Sequence, residues 1–106
     1  MTLANNTSTD GTALRIGLFG FGCVGQGLYD VLRRTPGLRA QVARICVKDR
    51  SKPRTLPLGM FTYDRGEILG DDTINVVVEL IDDANAAFDI VSSALRAGKA
   101  VVSANK

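Results

Sequence analysis

The chain has 106 residues, 45% of them hydrophobic, and 13 Lys and Arg against 11 Asp and Glu leave a formal charge of +2. That length suits one domain with one core. Near-neutrality without a Lys/Arg run argues against a nucleic-acid surface, and no stretch has the apolar length of a membrane span or the layout of a signal segment. A single soluble, cytoplasmic domain is therefore expected, in contact with neither nucleic acid nor membrane.

In chain order, residues 1–12 are polar, rich in Asn, Thr and Ser, and without period; they read as a flexible leader, with residues 13–106 as the domain. Leu14 to Phe19 reads as a buried strand. It runs into Gly20-Phe21-Gly22-Cys23-Val24-Gly25, and a helix over 23–34 begins at once, with Val24, Leu28, Val31 and Leu32 expected on its buried face. Pro36-Gly37 ends that helix. Residues 41–48 form a nearly continuous apolar run, as parallel strands covered on both faces do. Residues 54–59 read as loop, Phe61-Thr62-Tyr63 as a short edge strand, and Glu67 to Leu69 as a brief helical turn. Ile74 to Leu80 is β-branched and apolar, the next central strand. A helix over 84–97 follows, with Ala87, Ile90, Val91, Ala94 and Leu95 on its apolar face; Gly98 caps it, and Ala100 to Ser103 is the last strand. Strands alternating with helices predict an α/β fold, a doubly wound parallel sheet of the Rossmann type.

The strand–Gly-x-Gly-x-x-Gly–helix order has a physical meaning in such a sheet. Gly20 permits the tight turn, Gly22 keeps a side chain out of the way of a pyrophosphate, and Gly25 lets the helix pack closely. First-turn N–H groups lack intrahelical partners and carry the positive end of the dipole, so they attract phosphate. A plain strand–turn–helix also uses glycines for packing, so the motif needs its context. Asp49 supplies that context: it stands where an acid accepts from the adenosine ribose, and Lys48, Arg50, Lys52 and Arg54 surround it with charge suited to a 2′-phosphate. A solvated surface loop has the same composition, and acid and cations in one corner leave NAD and NADP both open. The glycine loop, Asp49, Glu79 with Ile81, and residues 103–106 all fall at the carboxyl ends of strands, where ligands bind.

The two cysteines, Cys23 in the glycine loop and Cys46 in a strand, are too few and too far apart in role for a disulfide scaffold. Cys23 at a helix N-terminus has a position that favours a thiolate, but a small loop residue is the simpler account. No histidine occurs, which removes imidazole acid–base chemistry and His-containing metal sites.

Phe19-Gly20-Phe21-Gly22-Cys23-Val24-Gly25, Val47-Lys48-Asp49, Val77-Val78-Glu79-Leu80 and the ending Ala97-Gly98-Lys99-Ala100-Val101-Val102-Ser103-Ala104-Asn105-Lys106 together resemble homoserine dehydrogenase, in order and across almost everything after the leader. The resemblance implies an enzyme interconverting aspartate semialdehyde and homoserine with NAD or NADP, in threonine and methionine biosynthesis. It implies cofactor contacts at Phe21, Gly22, Cys23 and Val24, adenosine-phosphate contacts at Lys48 and Lys52, and a contact at Lys106; the glycine motif and the strand ends add Gly20, Gly25, Asp49, Ile81, Ser103 and Asn105 to the expected cofactor site. Lys106 resembles the family's active-site lysine, and an ammonium there suits an aldehyde oxygen that gains negative charge. Ser103 stands for the usual Thr. Asp82-Asp83 stands where relatives commonly have a glycine-containing turn, which leaves two acids able to accept from a nicotinamide amide.

The resemblance also implies a substrate and dimerisation region beyond Lys106. The chain is thus expected to be the cofactor-binding part, binding a small-molecule cofactor without turnover, with homo-oligomers confined to the full-length enzyme. The alternatives are a stand-alone Rossmann module sensing nucleotide or redox state, and an S-adenosylmethionine binder. The cations of residues 48–54 count against the latter, whose ligand has no phosphate.

Overall fold

The computed structural model describes residues 13–49 and 56–104. The leader, the cations Arg50, Lys52 and Arg54, and the terminal Asn105 and Lys106 lie outside them. Leu14–Phe19 (β1), Ala40–Cys46 (β2), Phe61–Thr62 (β3), Val76–Glu79 (β4) and Ala100–Ser103 (β5) pair in parallel, in the order β3–β2–β1–β4–β5. Between them come the helices Cys23–Arg33 (α1), Gly66–Leu69 (α2) and Ala84–Arg96 (α3), with single 3₁₀ turns at Pro36–Leu38 and Leu58–Met60.

Alternation along the strands sends side chains to two faces, and each face has its own helices. Ile16, Leu18, Val42, Ile45 and Val78 pack with Leu28, Tyr29 and Leu32 of α1. Phe19, Cys46 and Val77 pack with Ile68 of α2 and Ile90 and Ala94 of α3. Helices on both faces of a parallel sheet are the doubly wound arrangement. Gly17 faces α2, where a Cβ would collide with Ile68 Cγ2. In the β1–β2 register Ile16 lies opposite Val42 but Gly17 opposite Arg44, so Ala43 is an extra residue that bends β2.

Element types follow the expectation; limits and faces shift. The second strand ends at Cys46 rather than at 48, because after Val47 donates to Thr62 O at 3.0 Å the chain turns outward at Lys48 and Asp49. The expected loop before the edge strand contains a 3₁₀ turn, and the 74–80 strand pairs only over Val76–Glu79. On α1 the buried stripe is Gly25, Leu28, Tyr29 and Leu32, whereas Val24 and Val31 are exposed. Gly25 sets that rotation: lacking a side chain, it sits against the Gly20 carbonyl and brings its own side of the helix inward. Leu95 of α3 is likewise exposed, flanking the Ala87–Ile90–Ala94 stripe.

The two edges of the sheet differ. At the amino edge, the Asn75 side chain accepts from Arg15 N–H at 2.9 Å and donates to Ala13 O at 3.1 Å. Beside it the buried Lys99 Nζ donates to the carbonyls of Asp71 and Ile74, both at 2.7 Å. Those polar ties close that edge. The carboxyl edge opens into a cleft.

Candidate functional site

The cleft has a volume of about 530 Å³ and is walled by the glycine loop, the end of β2 and the β4–α3 turn. Its floor is apolar, with Phe19, Ile81 and Ile90, and its rim is charged, with Lys48, Asp49, Arg65 and Asp82. An apolar slot with polar groups at its mouth suits a heterocyclic ring carrying phosphates.

The three motif glycines serve three different ends. Gly20 has φ +95°, a left-handed conformation that admits glycine without strain, and its N–H donates to Cys46 O at 2.9 Å. Gly25 is a packing glycine: a Cβ there would stand 3.0 Å from Gly20 O. Gly22 has no such internal reason. Its φ is −83°, and an added Cβ would meet no protein atom within 4 Å. It forms the N-cap of α1 with no side-chain hydrogen bond, and no acid stands in the first turn. Open space in front of uncapped amides is what a phosphate requires. The residues present therefore fit a dinucleotide.

Phe21 enters through its backbone. Its ring is buried edge-on against Phe61 (centroids 5.6 Å apart) and Tyr29 (6.4 Å), which anchors the loop in the core. Cys23 and Val24 are exposed at the start of α1, next to the cleft rather than lining it. The Cys46 thiol is pushed up by burial, partly offset by the nearby Arg65 guanidinium.

The β4–α3 turn departs from the expectation for its acids. Asp83 Oδ1 accepts from Asn85 N–H at 3.0 Å and from Ala86 N–H at 3.1 Å, so this carboxylate caps α3 rather than waiting for an amide. The Ala86 N–H above all, then the Asn85 N–H and the Lys48 and Arg65 charges, holds Asp83 below the usual carboxylate range. Asp82 remains on the rim. At the next strand end, Ser103 Oγ donates to the fully buried Glu79 at 2.6 Å.

Gly20, Phe21, Gly22, Lys48, Asp49 and Ile81 thus line one cleft, Gly25 supports it from behind, and Ser103 stands beside Glu79 at the end of β5. Arg65 is the member that sequence reasoning missed. It comes three residues after the two-residue β3, and the only available signal was a cation placed a little past a strand's carboxyl end. Salt bridges among the described residues join Arg33 and Arg34 to Asp30 and Arg44 to Glu67, so Lys48 and Arg65 belong to none of them.

Fold and cleft define a nucleotide-binding domain of the Rossmann type. Residues 20–106 match the family model described as "Homoserine dehydrogenase, NAD binding domain". The homoserine dehydrogenase of Bacillus subtilis is 33% identical over 103 residues, covering 89% of this chain and 24% of that protein. That of Corynebacterium glutamicum is 36% identical over 104 residues, covering 91% and 23%. The crystal structure of the Thiobacillus denitrificans homoserine dehydrogenase superposes with a TM-score of 0.79 at 33% identity, over 89% of this chain and 24% of that one. An S. aureus homoserine dehydrogenase structure gives 0.78 at 32% identity, over 90% and 26%. The chain belongs to the family of homoserine dehydrogenase NAD-binding domains, and it spans about a quarter of the length of these relatives. No helix among the described residues is long and apolar enough to cross a membrane.

Proposed function

We propose that this chain is the cofactor-binding unit of a cytoplasmic enzyme that interconverts aspartate semialdehyde and homoserine with NAD(P)(H), in threonine and methionine biosynthesis. The uncapped start of α1, with Gly22 holding open space before it, carries the proposal. Residues 13–106 make up the unit and residues 1–12 a leader. The amides of α1 and the backbone of Gly20 to Val24 hold the pyrophosphate, Asp49 the ribose, and the slot over Phe19 and Ile90 the adenine.

Lys48 and Arg65 share the rim, with Lys52 a few residues past Lys48 in sequence, and favour a 2′-phosphorylated ribose. Ile81, Ser103, Asn105 and Lys106 attend the nicotinamide end. The bound nicotinamide supplies hydride chemistry; Lys106 steadies the substrate oxygen and moves its proton. Substrate selection and subunit pairing are assigned to the part of the relatives beyond this match, so the unit alone binds cofactor without turnover.

Calorimetric titration of the 106-residue chain with NADPH, NADH and S-adenosylmethionine tests this. NADPH is expected to bind best, and Lys48→Glu to weaken NADPH by about tenfold or more while sparing NADH. Equal NADPH and NADH affinities untouched by Lys48→Glu would transfer recognition to Asp49. Binding of S-adenosylmethionine with neither nicotinamide would overturn the proposal.

A further inference from the structure

Helical period puts Val24 and Val31 in the apolar stripe of α1, yet they are 67% and 58% exposed. They share one flank of the helix. Tyr29 and Arg33, on the other flank, line a hollow with Ala40, Val42 and Met60, so that side of α1 leans toward β2. At about 100° per residue, Val24 and Val31 stand roughly opposite and point toward β4 and β5.

There they border a strip of bare sheet. Val102 of β5 is the register partner of Val78, so alternation puts it and Ala100 on the α1 face and Val101 on the α3 face. α3 covers β5 on its own face, whereas on the α1 face Ala100 is exposed and Val102 is 57% exposed. Two strands are about 10 Å across, which is the spacing of two packed helices. The strip is therefore a trough one helix wide. Its floor is Val76, Ala100 and Val102; its wall is Val24 and Val31, with Gly27 between them, where an added Cβ would meet nothing within 4 Å.

The handedness of the fold narrows what can fill it. The β1-to-β2 connection carries α1 on one face while moving toward β3; connections moving the opposite way carry their helices on the other, as α3 does. A helix following β5 outward would therefore join α3, not α1. A second copy stacked on this face would press the Asp30–Arg34 ion pair, on the crest of α1, onto bare valines. Residues 1–12 are mostly Asn, Thr and Ser and lack an apolar stripe. Most of the length of the relatives, by contrast, lies outside the match.

We infer that the trough seats an amphipathic helix from the part of the same polypeptide outside the match, which leaves the sheet on the α3 face and returns on the α1 face. This rests on the reading of the chain as one unit of a longer enzyme. The stripe of that helix covers Val31 and Val102, and one end abuts Val24 in the first turn of α1. The part assigned to substrate selection thereby touches the helix whose amides face the phosphates.

The test measures thiol shielding. Val31→Cys and Val102→Cys are made in a Cys23→Ser background, the buried Cys46 being left in place. Leu58→Cys, at a side chain 73% exposed beside β3 on the opposite edge of the sheet, is the control. Each is made in the 106-residue chain and in a chimera where the chain replaces the matching part of the Bacillus subtilis relative. A maleimide should label all three readily in the isolated chain. In the chimera, Val31→Cys and Val102→Cys should react about tenfold more slowly, with Leu58→Cys unchanged. Should the chimera fail to fold, the remainder of the relative, expressed separately and added to the isolated variants, gives the same readout. Free reaction at both positions, or shielding of Val102→Cys alone, overturns the inference. Shielding already present in the isolated chain also overturns it, assigning the trough to a second copy if dilution removes the effect and to residues 1–12 if it does not. NADPH titration of the isolated chain separates the two levels: bound NADPH with a bare trough leaves the cofactor reading standing, and loss of all dinucleotide binding removes both.

Discussion

Of the three described helices that begin at the carboxyl edge of the sheet, the two long ones, α1 and α3, begin differently. α3 starts at Asp83, whose backbone is extended (φ −101°, ψ 109°) and whose carboxylate takes two amides of the first turn. α1 starts at Gly22, with no side-chain bond to its amides. Both helices carry an apolar stripe into the core, on opposite faces of the same sheet. A capping side chain is ordinarily worth about 1 kcal/mol to a helix. The chain takes that stabilisation for α3 and forgoes it for α1. The forgone cap leaves donors and positive potential facing the cleft, so α3 is closed by the protein and α1 is left for a ligand's phosphates.

Exchanging the caps should have the largest effect. Gly22→Asp places a carboxylate where space is open, so α1 caps itself and repels an anion. Calorimetry should show dinucleotide affinity falling by about 100-fold, the equivalent of roughly 2.7 kcal/mol, while the melting temperature holds or rises. Retained affinity would place the phosphates elsewhere. Next in size, Gly25→Val leaves the cap open and pushes α1 off the Gly20 carbonyl. It should cost about 1–3 kcal/mol in denaturant unfolding and weaken binding as well.

Gly27 supplies the contrast within the same helix, since an added Cβ there meets nothing within 4 Å. Gly27→Ala should stabilise the fold by up to about 1 kcal/mol and leave titrations with NADPH unchanged.

The smallest effect is expected from uncapping α3 with Asp83→Ala, which should lower the melting temperature and preserve dinucleotide binding. Its pH dependence has a defined sign. The folded pKa of Asp83 is depressed, chiefly by the Ala86 N–H, so its stabilisation is present above the unfolded value of 3.8 and is lost as pH falls through the folded value. The melting-temperature gap between wild type and Asp83→Ala should be full at neutral pH and close in acid. A gap that stays constant down to acid pH would mean that the carboxylate does not act as the cap. Asp71, depressed by the Thr73 hydroxyl and then its N–H, adds acid sensitivity of the same sign at the opposite edge, and Asp71→Asn separates the two.

Local pattern determined much of this molecule in advance. Apolar runs and their breaks placed all five strands and three helices, and the distinct geometry of Gly20, Gly22 and Gly25 could be anticipated from one motif, because a turn, a close approach and a helix contact each act over a few residues. Asp49 and Lys48 could be placed at the cleft because they come within three residues of a strand's carboxyl end.

Other features depended on the packed sheet, since they join residues far apart in the chain. The rotation of α1 that exposes Val24 and Val31 comes from the contact between Gly25 and the glycine loop, not from helical period, which would accept either face. Arg65 reaches the rim only because β3 pairs with β2. Glu79 and Ser103 meet because β4 and β5 run in parallel register, and neither residue's neighbours in sequence predict the other. Periodicity chooses an element; burial, register and the pairing of polar groups choose what it faces.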